Sequence, residues 1–160
     1  MSHDSKLIIP DELKILSDKN NIKGFKKRDV KLYSIAGWIS DLPTCPCTAF
    51  AGYFRHDVLE NLIVDGQLID AWGPSRIGMG SLNDKSLKFI KQYHGRESYI
   101  EYDFIKEDSL WVGEWNGRLR DGESYNYGKS QCITSLVLDD AWNISCGAPR
   151  SSPSGVSLFT

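Results

Sequence analysis

Over residues 62–117 the chain repeats one pattern: a short alternating run, a turn signal, another alternating run. Turn residues recur too often for a helix of ordinary length, so the period of two governs and the helical period fails. In the first run Leu62, Val64, Leu68 and Asp70 share a face. Trp72-Gly73-Pro74 ends it, because proline cannot donate to a ladder and glycine relaxes the backbone. The run at 75–82 carries Gly78 and Gly80, which signal a bend or a close backbone approach. After the turn at Asn83-Asp84, Leu87, Phe89, Lys91 and Tyr93 share a face, and His94-Gly95 closes that run. Ile100, Tyr102 and Phe104 align in the next. Glu107-Asp108 turns the chain into a run with Trp111, Gly113, Trp115 and Gly117 on one face. Strands joined by short connections make an antiparallel meander. A meander this long is expected to curl and close, because closure removes its exposed edges.

The flanks differ. Residues 10–16 hold Leu13 and Leu16 three apart, with Asp11 and Glu12 in the first turn, which predicts one short helix. Such a helix is marginal alone and has to dock to persist. Residues 19–31 are polar and basic, and a solvated linker is preferred there to an anion-binding patch. Residues 31–38 are apolar and suit either a strand or a plug segment, and 49–54 suit the first strand of a barrel. Beyond Gly117, residues 118–129 read as a long loop or irregular hairpin. Residues 131–138 read as a strand, 141–145 as a short one and 156–159 as the closing one. The expected class is mainly β: a single closed antiparallel up-and-down barrel of about eight strands over 49–160. A short N-terminal helix and a lid or linker segment occupy 1–48.

Chain length suits one domain with a proper core. A net charge of −2 gives no basic footprint for nucleic acid. No apolar run approaches the roughly 18 residues of a membrane-spanning helix. The first six residues lack the apolar centre of a secretory signal, so the expectation is a cytoplasmic protein.

The chemistry-bearing residues are sparse. Cys45 and Cys47 are separated by one residue, closer than the usual zinc spacing of about two to four, and Cys132 and Cys146 complete no zinc pattern. No metal and no cofactor is expected, and free or structural thiols are preferred to a disulfide. His3, His56 and His94 stand apart from one another. No serine sits in a Gly-x-Ser-x-Gly elbow. Glu107-Asp108 and Asp139-Asp140 read as turn carboxylates in water. Gly78-Met79-Gly80 is no phosphate loop, since no helix follows it.

The order and spacing of several strands resemble a known family. Phe50-x-Gly52-x-Phe54 is followed by Gly73, Ser75, Ile77 and Gly80, and then by Leu87-x-Phe89-x-Lys91-x-Tyr93. Ile100-x-Tyr102 and Trp111-x-Gly113-x-Trp115 complete the series. This succession resembles the small lipocalin-like (calycin-type) antiparallel barrels over roughly residues 49–117. The resemblance implies an up-and-down barrel. It leaves function open, because such barrels bind lipids, haem, peptides or small metabolites, and a few are isomerases. Nothing in the chain matches the residues by which avidin-like barrels hold biotin.

The interior face suggests where a ligand would sit. Lys91 is in phase with Leu87, Phe89 and Tyr93, and a lone buried ammonium is costly unless it is paired. Asp70 is the one carboxylate that falls on an inward face, and Tyr93 and Tyr102 lie on neighbouring strands. Lys91, Tyr93, Tyr102 and Asp70 are therefore expected to form a polar cluster among Phe89, Trp111 and Trp115. The competing reading puts the Lys91 ammonium in water, and the commoner use of the two tryptophans is to fill a core. Non-catalytic binding of a small, mostly apolar or anionic ligand in the barrel cavity is the expected function. The alternatives are an isomerase- or cyclase-type enzyme in that cavity, and a solid-core barrel that acts as a protein-interaction module.

Overall fold

The computed structural model describes residues 29–41 and 48–142. Eight strands follow in chain order: β1 (Val30–Asp41), β2 (Thr48–Asp57), β3 (Leu62–Asp70), β4 (Gly73–Leu82), β5 (Ser86–Tyr93), β6 (Tyr99–Glu107), β7 (Leu110–Arg118) and β8 (Ser124–Leu138). Each pairs antiparallel with the next, and β8 pairs with β1, which closes an up-and-down barrel. The described residues contain no helix; the helix expected at 10–16 lies outside them, as does the strand expected at 156–159.

Local chemistry sets the turns. Between β3 and β4, Asp70 Oδ1 accepts from the Trp72 amide at 2.9 Å and Gly73 adopts φ +114°, a conformation that favours glycine. Between β4 and β5, Asn83 Oδ1 accepts from the amides of Lys85 and Ser86. Asp57 Oδ1 does the same for Leu59 and Glu60 after β2. These side chains satisfy amides that the ladder leaves behind.

The structure departs from the sequence reading in three places. The first stave, β1, precedes residue 49, where the sequence reading begins the barrel; of the two readings of 31–38, the strand is the one found. β3 carries a register shift opposite Arg55 and His56, so that Asp65 faces Arg55 and Ile63 faces His56. That bulge moves Val64 out of phase. Ile63 is fully buried, while Leu62 and Val64, expected inward, are half-buried. Finally, β8 begins at Ser124, within the stretch read as a loop. Its early half looks polar because Tyr125 and Tyr127 are exposed. Gly128 is inward, and a Cβ there would run into the Ser40 carbonyl and the Trp115 ring.

The inward faces meet along the barrel axis. Leu87, Phe89, Ile100, Phe104, Trp111 and Trp115 are all buried, each on the face that its alternation predicts. Phe89 stacks on Tyr102 with ring centroids 4.8 Å apart, and Tyr102 stacks on Phe104 at 5.9 Å. Trp115 Nε1 donates to the Ser40 carbonyl at 3.1 Å, and Trp111 Nε1 to Thr134 Oγ1 at 3.0 Å. Burial of each such side chain stabilises the fold by about 1.5–3 kcal/mol. Side chains thus fill the middle of the barrel, as an eight-stranded interior permits.

Candidate functional site

One end of the barrel is formed by the β3–β4, β5–β6 and β7–β8 connections, and there the interior turns polar. Asp70 stands at the end of β3, and Lys91 and Tyr93 near the end of β5. β4 lies between them, and its residues at this level are Gly73 and Ser75. The register sets Lys91 opposite Ile77 and Asp70 opposite Gly73, so the Lys91 side chain reaches Asp70 obliquely across β4. Ser75 is buried and turns its own hydroxyl to the Leu68 carbonyl at 3.1 Å, which keeps it clear of the pair.

Lys91 Nζ donates to Asp70 Oδ2 at 2.7 Å, and both side chains have no exposure to solvent. Tyr93 OH donates to the same oxygen at 2.6 Å. With the Trp72 amide on Oδ1, both Asp70 oxygens are engaged. The ammonium also lies 4.6 Å from the Tyr93 ring centre and 5.6 Å from that of Tyr102, within cation–π range. Tyr102 is buried, and its hydroxyl has no hydrogen-bond partner among the described residues.

Burial dominates the ionisation of this group. It pushes Lys91 down from its ordinary value, with the Asp70 charge and hydrogen bond opposing. It pushes Tyr93 up, helped by the hydrogen bond to Asp70, and it pushes Tyr102 up, helped by the Asp70 charge. Both phenols stay protonated, and Tyr93 is the one that donates, to Asp70. The cluster is formally neutral and rich in donors: the Tyr102 hydroxyl, and the two Lys91 protons that Asp70 does not take.

Of the residues singled out from the sequence, Asp70, Lys91 and Tyr93 are joined by hydrogen bonds, and Tyr102 lies beside them. Phe89 forms the floor of the cluster through its stack on Tyr102. Trp111 and Trp115 are core residues, and Trp111 lies toward the opposite end, paired with Cys132 in register. The competing reading of Lys91, an ammonium in water, does not hold.

A second buried polar group went unread in the sequence. His56 Nε2 lies 2.9 Å from Asn61 Oδ1, which also accepts from the Leu82 amide. The oxygen is an acceptor, so Nε2 carries a proton, and Nδ1 is buried on the other side of the ring. That nitrogen has no hydrogen-bond partner among the described residues. The bulge that turns this part of β3 is what made the local phase illegible.

No group of three or more His, Cys, Asp or Glu side chains that could hold a metal occurs among the described residues. No described helix is long and apolar enough to cross a membrane. Of the four cysteines, Cys132 falls in the described part; it is buried and free, and burial pushes its thiol up to about 12. No family model matches the chain, and no curated protein matches it.

Proposed function

We propose that the barrel binds one small molecule at its polar end, through a hydrogen-bond acceptor that the ligand brings to Tyr102 and Lys91. The buried, unpartnered Tyr102 hydroxyl carries this reading. A buried donor left unmade costs about 1–3 kcal/mol, and a ligand acceptor would recover that. Because Asp70 already balances Lys91, a neutral carbonyl or ether oxygen suits the site better than a full anion. The aromatic filling below limits the ligand to a short molecule, or to the head of a longer one that leaves through the mouth. Non-catalytic small-molecule binding is what a lipocalin-like (calycin-type) barrel would do, and the closed eight-stranded meander supports that comparison.

The test is thermal stabilisation by a panel of short ketones, aldehydes, fatty acids, retinoids and haem, repeated on Tyr102→Phe. A hit that raises the melting temperature and loses about tenfold in affinity on Tyr102→Phe, about 1.4 kcal/mol, is the expected result. A second reading, a solid barrel that works through its outer wall, is favoured by the packing of Phe54, Phe89, Tyr102 and Phe104. A panel without a single hit would move the conclusion to that reading.

A further inference from the structure

The outer wall of the barrel divides by charge. Across β8, β1, β2 and β3 one register row sets Ile133 beside Ala36, Ala36 beside Ala51 and Ala51 beside Ile69. The rows on either side run from Gln131 through Trp38 to Ala49, and from Ser135 through Ser34 to Tyr53. These positions alternate with Ile35, Phe50, Phe54, Leu68 and Cys132, which lie in the core, so they face outward. None of them is charged. The wall over β5–β7 carries Lys88, Asp103 and Glu114 in the same outward phase.

Ala36, Ala49 and Ala51 are exposed, and Ile133 keeps 49% of its surface in water. Two alanines between two isoleucines leave the middle of this wall low, with Trp38 and Tyr53 on its diagonal. With strands about 4.8 Å apart and outward residues about 7 Å apart along each, the patch covers about 400 Å². A stable pairing of two proteins buries about 800 Å² on each partner. The patch is half of what a second copy needs, and it suits a short segment of chain.

The chain itself leads a segment to this wall. Beyond β8 the Ala141 amide donates to the Val30 carbonyl at 2.8 Å, so the chain crosses the start of β1. Arg55 Nη1 then donates to the Trp142 carbonyl at 3.1 Å. Arg55 alternates with the buried Phe54 and His56, so Trp142 arrives on the outer face of β2, next along that face from Tyr53. Residues 143–160 continue from there. They hold one charged side chain, Arg150, against eleven in residues 1–28. Their alternating end, Val156 to Phe159, has no edge of the sheet to join, because each strand of the closed barrel already has two neighbours.

We propose that residues 143–160 pack over this wall and seat Val156, Leu158 and Phe159 against Ala36 and Ala51. An uncharged stretch on an uncharged wall strands no ion beneath it. The path from Arg55 to Ala51 along β2 is about 13 Å. A segment of 18 residues, at about 3.3 Å for each extended residue, spans it several times over. Gly147, Pro149, Pro153 and Gly155 give it turns on the way. The seat is separate from the Lys91 cluster, and the segment thereby withholds an uncharged face from other molecules.

The experiment is paramagnetic broadening of amide signals in the full chain. Thr160→Cys carries a nitroxide, with Cys45, Cys47 and Cys146 replaced by serine and Cys132 shielded in the core. Loss of signal at Ala36, Ala51 and Ile133, unchanged on tenfold dilution, with none at Lys88, Asp103 or Glu114, is the expected result. Ala36→Lys on the wall and Phe159→Ser on the segment should each restore the lost signals, with the shifts of β5–β7 unmoved. Ala51→Lys should act like Ala36→Lys, so the result does not hang on one variant folding. Ala36→Ser should keep the broadening. A label without effect overturns the proposal and gives the wall to residues 1–28 or to solvent. So does broadening that fades on dilution, which would mark a second copy, broadening spread over both walls, or broadening that survives both Ala36→Lys and Phe159→Ser.

Discussion

Asp70 and Lys91 form a 2.7 Å ion pair across an intervening strand, with neither side chain exposed to water. β4 passes between them, with Gly73 opposite Asp70 and Ile77 opposite Lys91. Removal of one charge leaves the other buried alone, which typically costs 3–5 kcal/mol. Asp70→Asn should therefore lower stability by about 3–5 kcal/mol, as read by urea unfolding. The double variant Asp70→Asn, Lys91→Met should be more stable than Asp70→Asn alone, since it removes the stranded charge. Equal stability of the single and double variants would mean that Lys91 reaches water.

Tyr102→Phe tests the unmade hydroxyl in the absence of ligand. Deletion of a buried donor without a partner should leave the fold as stable as before or raise its stability by about 1–2 kcal/mol. A clear loss of stability would show that the hydroxyl is satisfied in solution.

Phe104→Ala should cost about 3–5 kcal/mol, because Phe104 is fully buried and touches the rings of Phe89 and Tyr102. An unchanged melting temperature would mean that the centre of the barrel collapses to fill the gap.

Stability should fall at alkaline pH. Burial raises the Cys132 thiol to about 12 and raises Tyr93 and Tyr102 as well. In the unfolded chain these groups lose protons at ordinary values, about 8.5 for the thiol and about 10 for the phenols. Above those values the unfolded state binds fewer protons than the folded one, so stability declines as pH rises. Lys91, pushed down by burial, works in the opposite direction at lower pH. Denaturant midpoints should therefore drop from about pH 9 upward. Cys132→Ala together with Tyr93→Phe should flatten the decline.

With Cys45, Cys47 and Cys146 replaced by serine, Cys132 should resist a thiol reagent until the barrel unfolds, because its side chain lies in the core. Reaction at the same rate with and without denaturant would contradict that burial.

Much of the barrel was legible because most inward positions keep a strict period of two. β5, β6 and β7 declared themselves through Leu87, Phe89, Ile100, Tyr102, Phe104, Trp111 and Trp115. Asp70 could be placed because the bulge in β3 precedes Leu68 and leaves the last residues of that strand in phase. The same bulge hid Ile63 and, with it, the environment of His56. The start of β8 was hidden for another reason. Tyr125 and Tyr127 face water, and Gly128, demanded by the close approach of Ser40 and Trp115, mimics a turn signal. The Lys91–Asp70 bond was legible only as a shared face. That the two residues meet depends on the register of three strands, which no single strand's pattern contains.

β8 is the longest strand, and different parts of it serve different neighbours. Its first residues pair with β7, and its last pair with β1, where Ile35 meets Thr134 and the Ala141 amide donates to the Val30 carbonyl at 2.8 Å. Every other strand pairing joins chain neighbours, whereas this seam joins residues about a hundred positions apart. Hairpins can form early and locally, but the seam has to await the whole circuit, and contacts of such long range slow folding. Variants along the seam, such as Thr134→Ala, should therefore hasten unfolding and leave the rate of folding nearly unchanged. Replacements in the β5–β6 hairpin should do the reverse.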